Sequence, residues 1–345
     1  MRSMQRNPMS KQQKKLVETE KENALAEAKA DDEVIEELIN CYDKTAEHLQ
    51  SEIQRIVYKF AEDNELTTQQ ATELLKGKEY DLWRMSIQEY LKEIETSEDP
   101  KLLLELNTLS AKSRITRKEQ LISQIDMEMG KLADQSNKII KKHLEKVLVE
   151  HYYRGHYAVQ KALGVGWKVG KFNPDMIKKI IEYPWETKTF SKAIWEDIDK
   201  LTTTLRKELA NGMIAGHSVD KMASAINKVM DKGMYNAKRL VRTESTYFTQ
   251  QAQAMSYQKM GFKKYMFVGD GCPDCAALNG KIFTFEEAEP GVNMPPMHPN
   301  CKCRIIAQGD LSMFDYEKRG KITPLHENVK YQQWKEKFVK ANKKR

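Results

Sequence analysis

Four of the five cysteines in this chain fall in one short C-terminal stretch that also contains a histidine. Cys272 and Cys275 form a C-x-x-C pair, and His298 is followed at short spacing by Cys301 and Cys303. Disulfide frameworks normally use an even number of cysteines in a secreted chain, and the polar N-terminus has no apolar segment typical of a secretion signal. The cluster therefore predicts a metal site, and such a site requires the chain to bring two separate segments to one point.

Zinc fits these residue types best, because Zn²⁺ prefers four tetrahedral thiolate and imidazole ligands. Cys272, Cys275 and His298 are three candidates, and Cys301 and Cys303 compete for the remaining place. Cys301 has the better spacing from His298. Cys303 would lie on the same side of an extended strand as Cys301, so either could be the fourth ligand. A redox role for the C-x-x-C pair would need a βαβ context, and unrelated free thiols are the other alternative. We predict a structural zinc site built from four of these five residues.

The order of the ligands disfavours a catalytic zinc. Catalytic sites keep an open coordination position and place a general base nearby. Zinc deaminases carry H-x-E before P-C-x-x-C, whereas here the order is reversed and Asn300 stands two residues after His298. We therefore expect neither an enzyme nor a small-molecule substrate. A zinc-dependent nuclease or hydrolase acting on nucleic acid is the alternative. It rests on His298 among the cysteines and on the positive net charge of the chain.

Apolar residues at three- and four-residue steps predict a helical N-terminal region over residues 1–162. Asp31 and Asp32 are a candidate helix start, and a long helical pattern runs from Lys101 to about Gln160. The glycines from Gly164 to Gly170 lack the G-x-x-x-x-G-K-[ST] spacing of a phosphate loop. Residues 163–189 are therefore predicted to be a connector between domains.

The pattern beyond this connector predicts helices and then a small β-containing module. The helices cover Phe190–Leu209, Lys221–Met230 and 234–260, with Gly233 ending the second of them. Aromatic and β-branched runs predict short strands at Lys264–Val268, Lys281–Phe285 and Cys303–Ala307. The predicted fold class is mainly α, with a small β-hairpin zinc knuckle (α+β) near the C-terminus. We call residues 262–307 the knuckle.

Two charged residues of the helix that precedes the knuckle form a second candidate site. Arg242 and Glu244 stand among apolar and small residues, and buried charges need partners. They are predicted to brace the knuckle or a neighbouring helix, and an exposed ion-pair face is the alternative.

Charge and hydropathy limit the classes of partner. The net charge is +7, and Lys and Arg concentrate in residues 1–15 and 330–345. Basic ends can contact phosphate backbones, so a DNA-binding adaptor is a further alternative; solvated tails are the simpler interpretation. No apolar stretch approaches the roughly 18–20 residues that cross a bilayer. We expect no membrane contact and a protein made and used in a cytoplasm.

Three features in one order resemble the C-terminal domain of the MuF-type phage head morphogenesis proteins, also called minor head or minor capsid proteins. They are Asn211–Ser218 before a helix, Val241-Arg242-Thr243-Glu244 within one, and the knuckle motifs Cys272–Lys281 and Pro295–Cys303. The resemblance covers about residues 190–307. Lys302 departs from the arginine that is more frequent in the family between the last two cysteines, and it keeps the positive charge.

The resemblance implies a virion protein of the phage head that is present in few copies and is assembled in the bacterial cytoplasm. It implies association with the portal, with capsid or scaffold proteins as further partners, and a role in head assembly that extends to DNA packaging or delivery. Phage DNA would be contacted through the basic termini. The corresponding domain would span residues 190–309, followed by a basic C-terminal tail at 310–345.

Overall fold

Most of the residues that the structure describes are α-helical, and this confirms the predicted fold class. The computed structural model describes residues 9–63, 67, 117–214, 217–269, 271–309, 311 and 314–339. Its helices are α1 (Lys11–Asp63), α2 (Arg117–Leu163), α3 (Asp175–Ile181), α4 (Phe190–Ile214), α5 (Val219–Lys259), α6 (Pro273–Leu278) and α7 (Tyr331–Phe338). Predictions that fall on 1–8, 64–66, 68–116 and 340–345 lie outside the described residues.

Helix α1 begins twenty residues earlier than the Asp31 and Asp32 signal predicts, so that prediction is wrong. Ser10 and Gln13 form a reciprocal cap, in which each side-chain oxygen accepts from the other residue's backbone N–H, at 3.2 and 3.4 Å. Asp31 lies inside the helix and is 5% exposed. Its carboxylate is held by His143 in the core and does not cap a helix end.

Contacts divide the chain into two units, and each unit combines segments that are distant in sequence. The first unit comprises Met1–Glu33, Lys141–Thr189 and Arg239–Arg345. The second comprises Val34–Ile140 and Phe190–Lys238. The predicted boundaries near residues 162, 189 and 309 divide the chain into consecutive segments, whereas each unit combines separated segments. The predicted boundaries stay a prediction.

The described residues of the second unit are almost all helical, and a glycine permits close packing among them. Helix α5 runs unbroken through Gly233, so the prediction that this residue ends a helix is wrong. A Cβ at this position would lie 2.4 Å from Leu201 Cδ1 and 2.7 Å from Tyr42 Cε1. Gly233 is therefore used for the close approach of neighbouring side chains, and its helix continues because packing outweighs its low propensity.

The first unit contains a small antiparallel sheet of order β3-β2-β4, with β2 at Lys264–Val268, β3 at Ile282–Thr284 and β4 at Arg304–Gln308. These strands confirm the three predicted ones to within a few residues. In the centre of the sheet, Tyr265 pairs with Phe283 on one side and with Ala307 on the other. Tyr265 and Phe267 are fully buried. Tyr265 packs in the main core of this unit, and Phe267 packs among the cysteines of the knuckle.

The C-terminal segment contains elements that the sequence pattern does not predict. A two-residue strand β1 (Val165–Gly166) in the predicted connector pairs with β5 (Thr323–Pro324). Helix α7 buries Tyr331, Trp334 and Phe338. Trp334 has no exposed surface, and its indole N–H donates to Gln160 Oε1 of α2 at 2.8 Å. Residues 331–338 are therefore part of the folded first unit.

Candidate metal centre and its supporting helix

The C-x-x-C pair of the knuckle forms the first turn of the short helix α6. Cys272 is the N-cap residue, and its Sγ accepts from the backbone N–H of Cys275 at 3.4 Å. Pro273 follows at the first helical position, where its fixed φ favours helix initiation and no N–H is needed. This local geometry places both sulfur atoms on the same side of one turn.

His298 faces both of these cysteines. Its Nε2 lies 3.3 Å from Cys272 Sγ and 3.3 Å from Cys275 Sγ. Its Nδ1 lies 3.0 Å from the carbonyl oxygen of Pro299, to which it can donate a proton. A neutral histidine that donates its Nδ1–H has an unprotonated Nε2, whose lone pair can bind a metal. Metal-ligating histidines commonly have this arrangement.

Cys275 also belongs to a second group of three, with Cys301 and Cys303. Within each group, the candidate ligand atoms all lie within 4.8 Å of one another. Tetrahedral zinc with Zn–S bonds of about 2.3 Å separates its sulfur ligands by roughly 3.7 Å, so this spacing suits one ion. The described residues thus bring all five predicted ligands together, and the choice of four stays a prediction.

Close packing fixes the position of Cys303. A Cβ added at Gly269 would lie 2.1 Å from Cys303 Sγ and 2.7 Å from its Cβ. Only a residue without a side chain leaves room for this thiol at the end of β2. Cys275, Cys301 and Cys303 are all buried, and they form a small cluster with Phe267.

The thiols of this cluster differ in proton affinity. The thiol of Cys303 hydrogen-bonds to Cys301 and lowers the pKa of Cys301 to about 5. Burial raises the pKa of Cys275 to about 12. Zinc binds thiolates, so a ligand set containing Cys275 must release protons on binding, and its affinity rises with pH.

Helix α5 holds the C-terminal half of the knuckle through three polar side chains on one face. Thr243 Oγ1 accepts from the Asn300 backbone N–H at 2.9 Å, and Thr246 Oγ1 donates to the Cys301 carbonyl at 2.8 Å. Gln250 Oε1 accepts from the Ile305 N–H at 2.8 Å. Sequence reasoning missed these residues, although their three- and four-residue spacing on a helix of small and apolar residues was a usable signal.

The charged residues singled out on this helix have other contacts. Arg242 is half exposed, and its Nη2 lies 3.4 Å from Asp32 Oδ1 on α1. Glu244 is buried, and both of its carboxylate oxygens accept from the indole N–H of Trp185, at 3.3 and 3.2 Å. The Trp185 ring also stacks on Tyr247 at a centroid distance of 5.3 Å. Glu244 thus holds the segment after α3 against α5, and a role of either residue in bracing the knuckle stays a prediction.

The buried carboxyl of Glu244 makes stability depend on pH. Burial raises its pKa from 4.5 to about 7, although the Trp185 indole partly offsets the effect. A carboxyl with a higher pKa in the folded than in the unfolded state favours folding at low pH, and this stability is lost as pH rises from about 4.5 through about 7. Glu244→Gln should remove that loss. The unfolding free energy of the variant minus that of the parent should increase by about 2 kcal/mol between pH 5 and pH 8.

Urea unfolding at the two pH values measures this difference. The exposed Glu182→Gln, in the segment that carries Trp185, is the matched control and should give no pH-dependent gain. Equal effects of the two substitutions would contradict the assignment of the shift to the Glu244 environment.

Comparison with known proteins finds a family whose model covers the candidate metal centre. Residues 203–306 match the model of the family described as Phage Mu protein F like protein. This match contains Thr243, Thr246 and the five candidate ligands. It confirms, over these residues, the resemblance to MuF-type phage head morphogenesis proteins.

A known phage protein is also similar to this chain. Over 188 residues the chain is 23% identical to the minor head protein GP7 of Bacillus phage SPP1. The matched region spans 49% of this chain and 61% of GP7, which is less than two thirds of that protein. No solved structure matches. In the part of the chain that the structure describes, no helix is both long and apolar enough to cross a membrane.

Proposed function

We propose that this protein is a phage minor head protein that takes part in head assembly while associated with the portal. The observation that carries the proposal is the match of residues 203–306 to the MuF-type family, in which the knuckle is seated on helix α5. The printed name of the similar SPP1 protein, minor head protein, supports the same role. The protein would then be a virion component with portal, capsid or scaffold proteins as partners.

The metal centre would serve this role as a structural element. The knuckle has a three-stranded sheet of very short strands, and the turn at Cys272 and the segment that begins at His298 both lie outside these strands, so a crosslink between them would hold this part of the knuckle together. Four of the five Cys/His ligands would close the coordination sphere of a zinc ion and leave no position for substrate water. Zinc would supply the link between the turn at Cys272 and the segment that begins at His298.

Co-expression with the head proteins of the same phage tests the assembly role. The chain should co-sediment with procapsids when portal, scaffold and capsid proteins are all present, and it should co-purify with the portal alone. The matched control omits only the portal, and incorporation should then be lost. Absence of the chain from particles together with absence of portal binding would overturn the proposal.

The two nucleic-acid alternatives predict different results. A zinc-dependent nuclease would show metal-dependent cleavage that disappears in a His298→Ala variant that still folds. A DNA-binding adaptor would bind DNA with an affinity that falls steeply as salt increases, because phosphate contacts release counterions. Portal-dependent incorporation without either property favours the assembly role.

A further inference from the structure

A polar stripe on helix α1 is buried in the first unit. Glu20, Asn23, Glu27 and Asp31 follow one another at three- and four-residue steps, so they share one face of the helix, and each is at most 5% exposed. Ion pairs and hydrogen bonds hold them, and their partners, in the same order, are Tyr257, Arg154, Arg304 and His143. Buried polar groups of this kind destabilise a fold when their partners are lost.

One of these contacts reaches the knuckle directly. Arg304 Nη2 lies 2.7 Å from Glu27 Oε2, and the two side chains are 16% and 4% exposed. Arg304 immediately follows Cys303 and opens strand β4, where it pairs with Val268. Its side chain reaches Glu27 from this backbone position, so a displacement of the strand at Arg304 would strain or break the contact.

The pairing with Val268 on β2 holds that position within the sheet, and two further contacts flank it. On one side, Cys303 is seated against Gly269 within the cluster of candidate ligands. On the other side, the Ile305 N–H donates to Gln250 of α5. Loss of the metal would weaken the first of these two contacts, because the cluster of candidate ligands that contains Cys303 would no longer be tied to the turn at Cys272.

We infer that metal binding in the knuckle and docking of the α1 segment Leu16–Asp32 are thermodynamically coupled through the Arg304–Glu27 ion pair. This inference rests on the proposed metal site. Release of Arg304 leaves the Glu27 carboxylate buried without its cationic partner, so the docked position of α1 becomes less favourable. Reciprocity requires the converse, so a defect in α1 docking must weaken metal binding by the same factor. The metal would then control how firmly an N-terminal helix is held.

Hydrogen exchange of the full chain tests the first direction. Zinc content is measured first, and amide exchange is then followed by mass spectrometry with zinc bound and after chelation. Exchange in residues 16–32 should be faster after chelation by about tenfold, within the usual range for coupled sites. Helix α4 (Phe190–Ile214) serves as an internal reference and should change little.

Glu27→Gln tests the reverse direction. Its zinc affinity, measured by competition with a chromophoric chelator, should fall by roughly tenfold, as is typical when a group that supports a ligand is removed. The matched control is Glu33→Gln, which makes the same charge change at an exposed position of the same helix. This variant should stay within about twofold of the parent.

The possible failures have different meanings. Zinc binding with unchanged exchange in residues 16–32 after chelation would overturn the coupling and leave the metal site intact. Absence of bound zinc would overturn the proposed metal site and the coupling with it. If Glu27→Gln does not fold, the exchange experiment on the parent protein decides alone.

Discussion

Replacement of Cys275 by serine is expected to abolish zinc binding and to unfold the knuckle. Cys275 is fully buried, and it is the residue shared by the two groups of candidate ligands. Structural zinc sites contribute an apparent binding free energy of about 10–16 kcal/mol near neutral pH, so loss of the ion should destabilise the knuckle strongly. No other substitution discussed for this chain should have a comparable effect.

Native mass spectrometry and limited proteolysis measure the two parts of this prediction. The parent chain should carry one zinc ion, and the Cys275→Ser variant none, with new cleavage sites between residues 262 and 307. Cys41→Ser is the matched control, because Cys41 lies on α1 outside the knuckle and is a free thiol. Loss of zinc with unchanged protease resistance in Cys275→Ser would show that packing and hydrogen bonds hold the knuckle, and zinc retention would show that the other four candidate residues bind the ion.

Truncation of Trp334 to alanine should destabilise the first unit by about 3–5 kcal/mol. The side chain is fully buried, and its ring lies near Tyr157, Tyr331 and Phe338. Its removal also leaves Gln160 Oε1 without the indole donor. The cost therefore combines a large cavity with a weakened buried hydrogen bond.

Chemical unfolding of the full chain, followed by intrinsic fluorescence and by exchange of the α2 amides, measures this loss. The exposed Gln332→Ala in the same helix is the control and should change the unfolding free energy by less than about 0.5 kcal/mol. A Trp334→Ala variant as stable as this control would mean that residues 331–338 contribute little to the fold in solution.

Much of the knuckle could be predicted because its determinants are local. Two ligands within one turn, a histidine near two further cysteines, and aromatic and β-branched runs each restrict the backbone over a few residues. The strands at Lys264–Val268 and Arg304–Gln308 and the gathering of the ligands follow from such patterns. The resemblance to MuF-type proteins used the same residues, so it was confirmed over the same part of the chain.

The errors occurred where distant contacts override a local signal. Asp31 has the residue type of a helix cap, but His143 from another helix satisfies it inside α1. Gly233 has the residue type of a helix end, but Leu201 and Tyr42 pack where its side chain would be. No single-chain pattern identifies such a neighbour in advance.

The C-terminal segment shows how charge can mask packing. Lysines flank the aromatic residues of α7, so the composition of residues 330–345 is that of a solvated basic tail. Yet Tyr331, Trp334 and Phe338 recur at three- and four-residue steps, and all three are buried. The helical spacing of these apolar residues was present in the sequence, but the high lysine content favoured the interpretation as a solvated tail. Thr243, Thr246 and Gln250 were missed for a related reason, because polar side chains on a helix are usually solvated.

Each unit is built from segments that are distant in sequence, and this limits which parts of the gene can be exchanged by recombination. The family match at 203–306 spans both units. Residues 203–238 belong to the second unit, and residues 239–306, which include the rest of α5 and the knuckle, belong to the first. The buried partners of β4 and α5 in the first unit lie far upstream, on α1 and α2. Recombination that exchanged only the recognisable family segment between phages would separate Arg304 from Glu27 and Ser245 from His143. Successful exchange should therefore carry helices α1 and α2 along with residues 203–306.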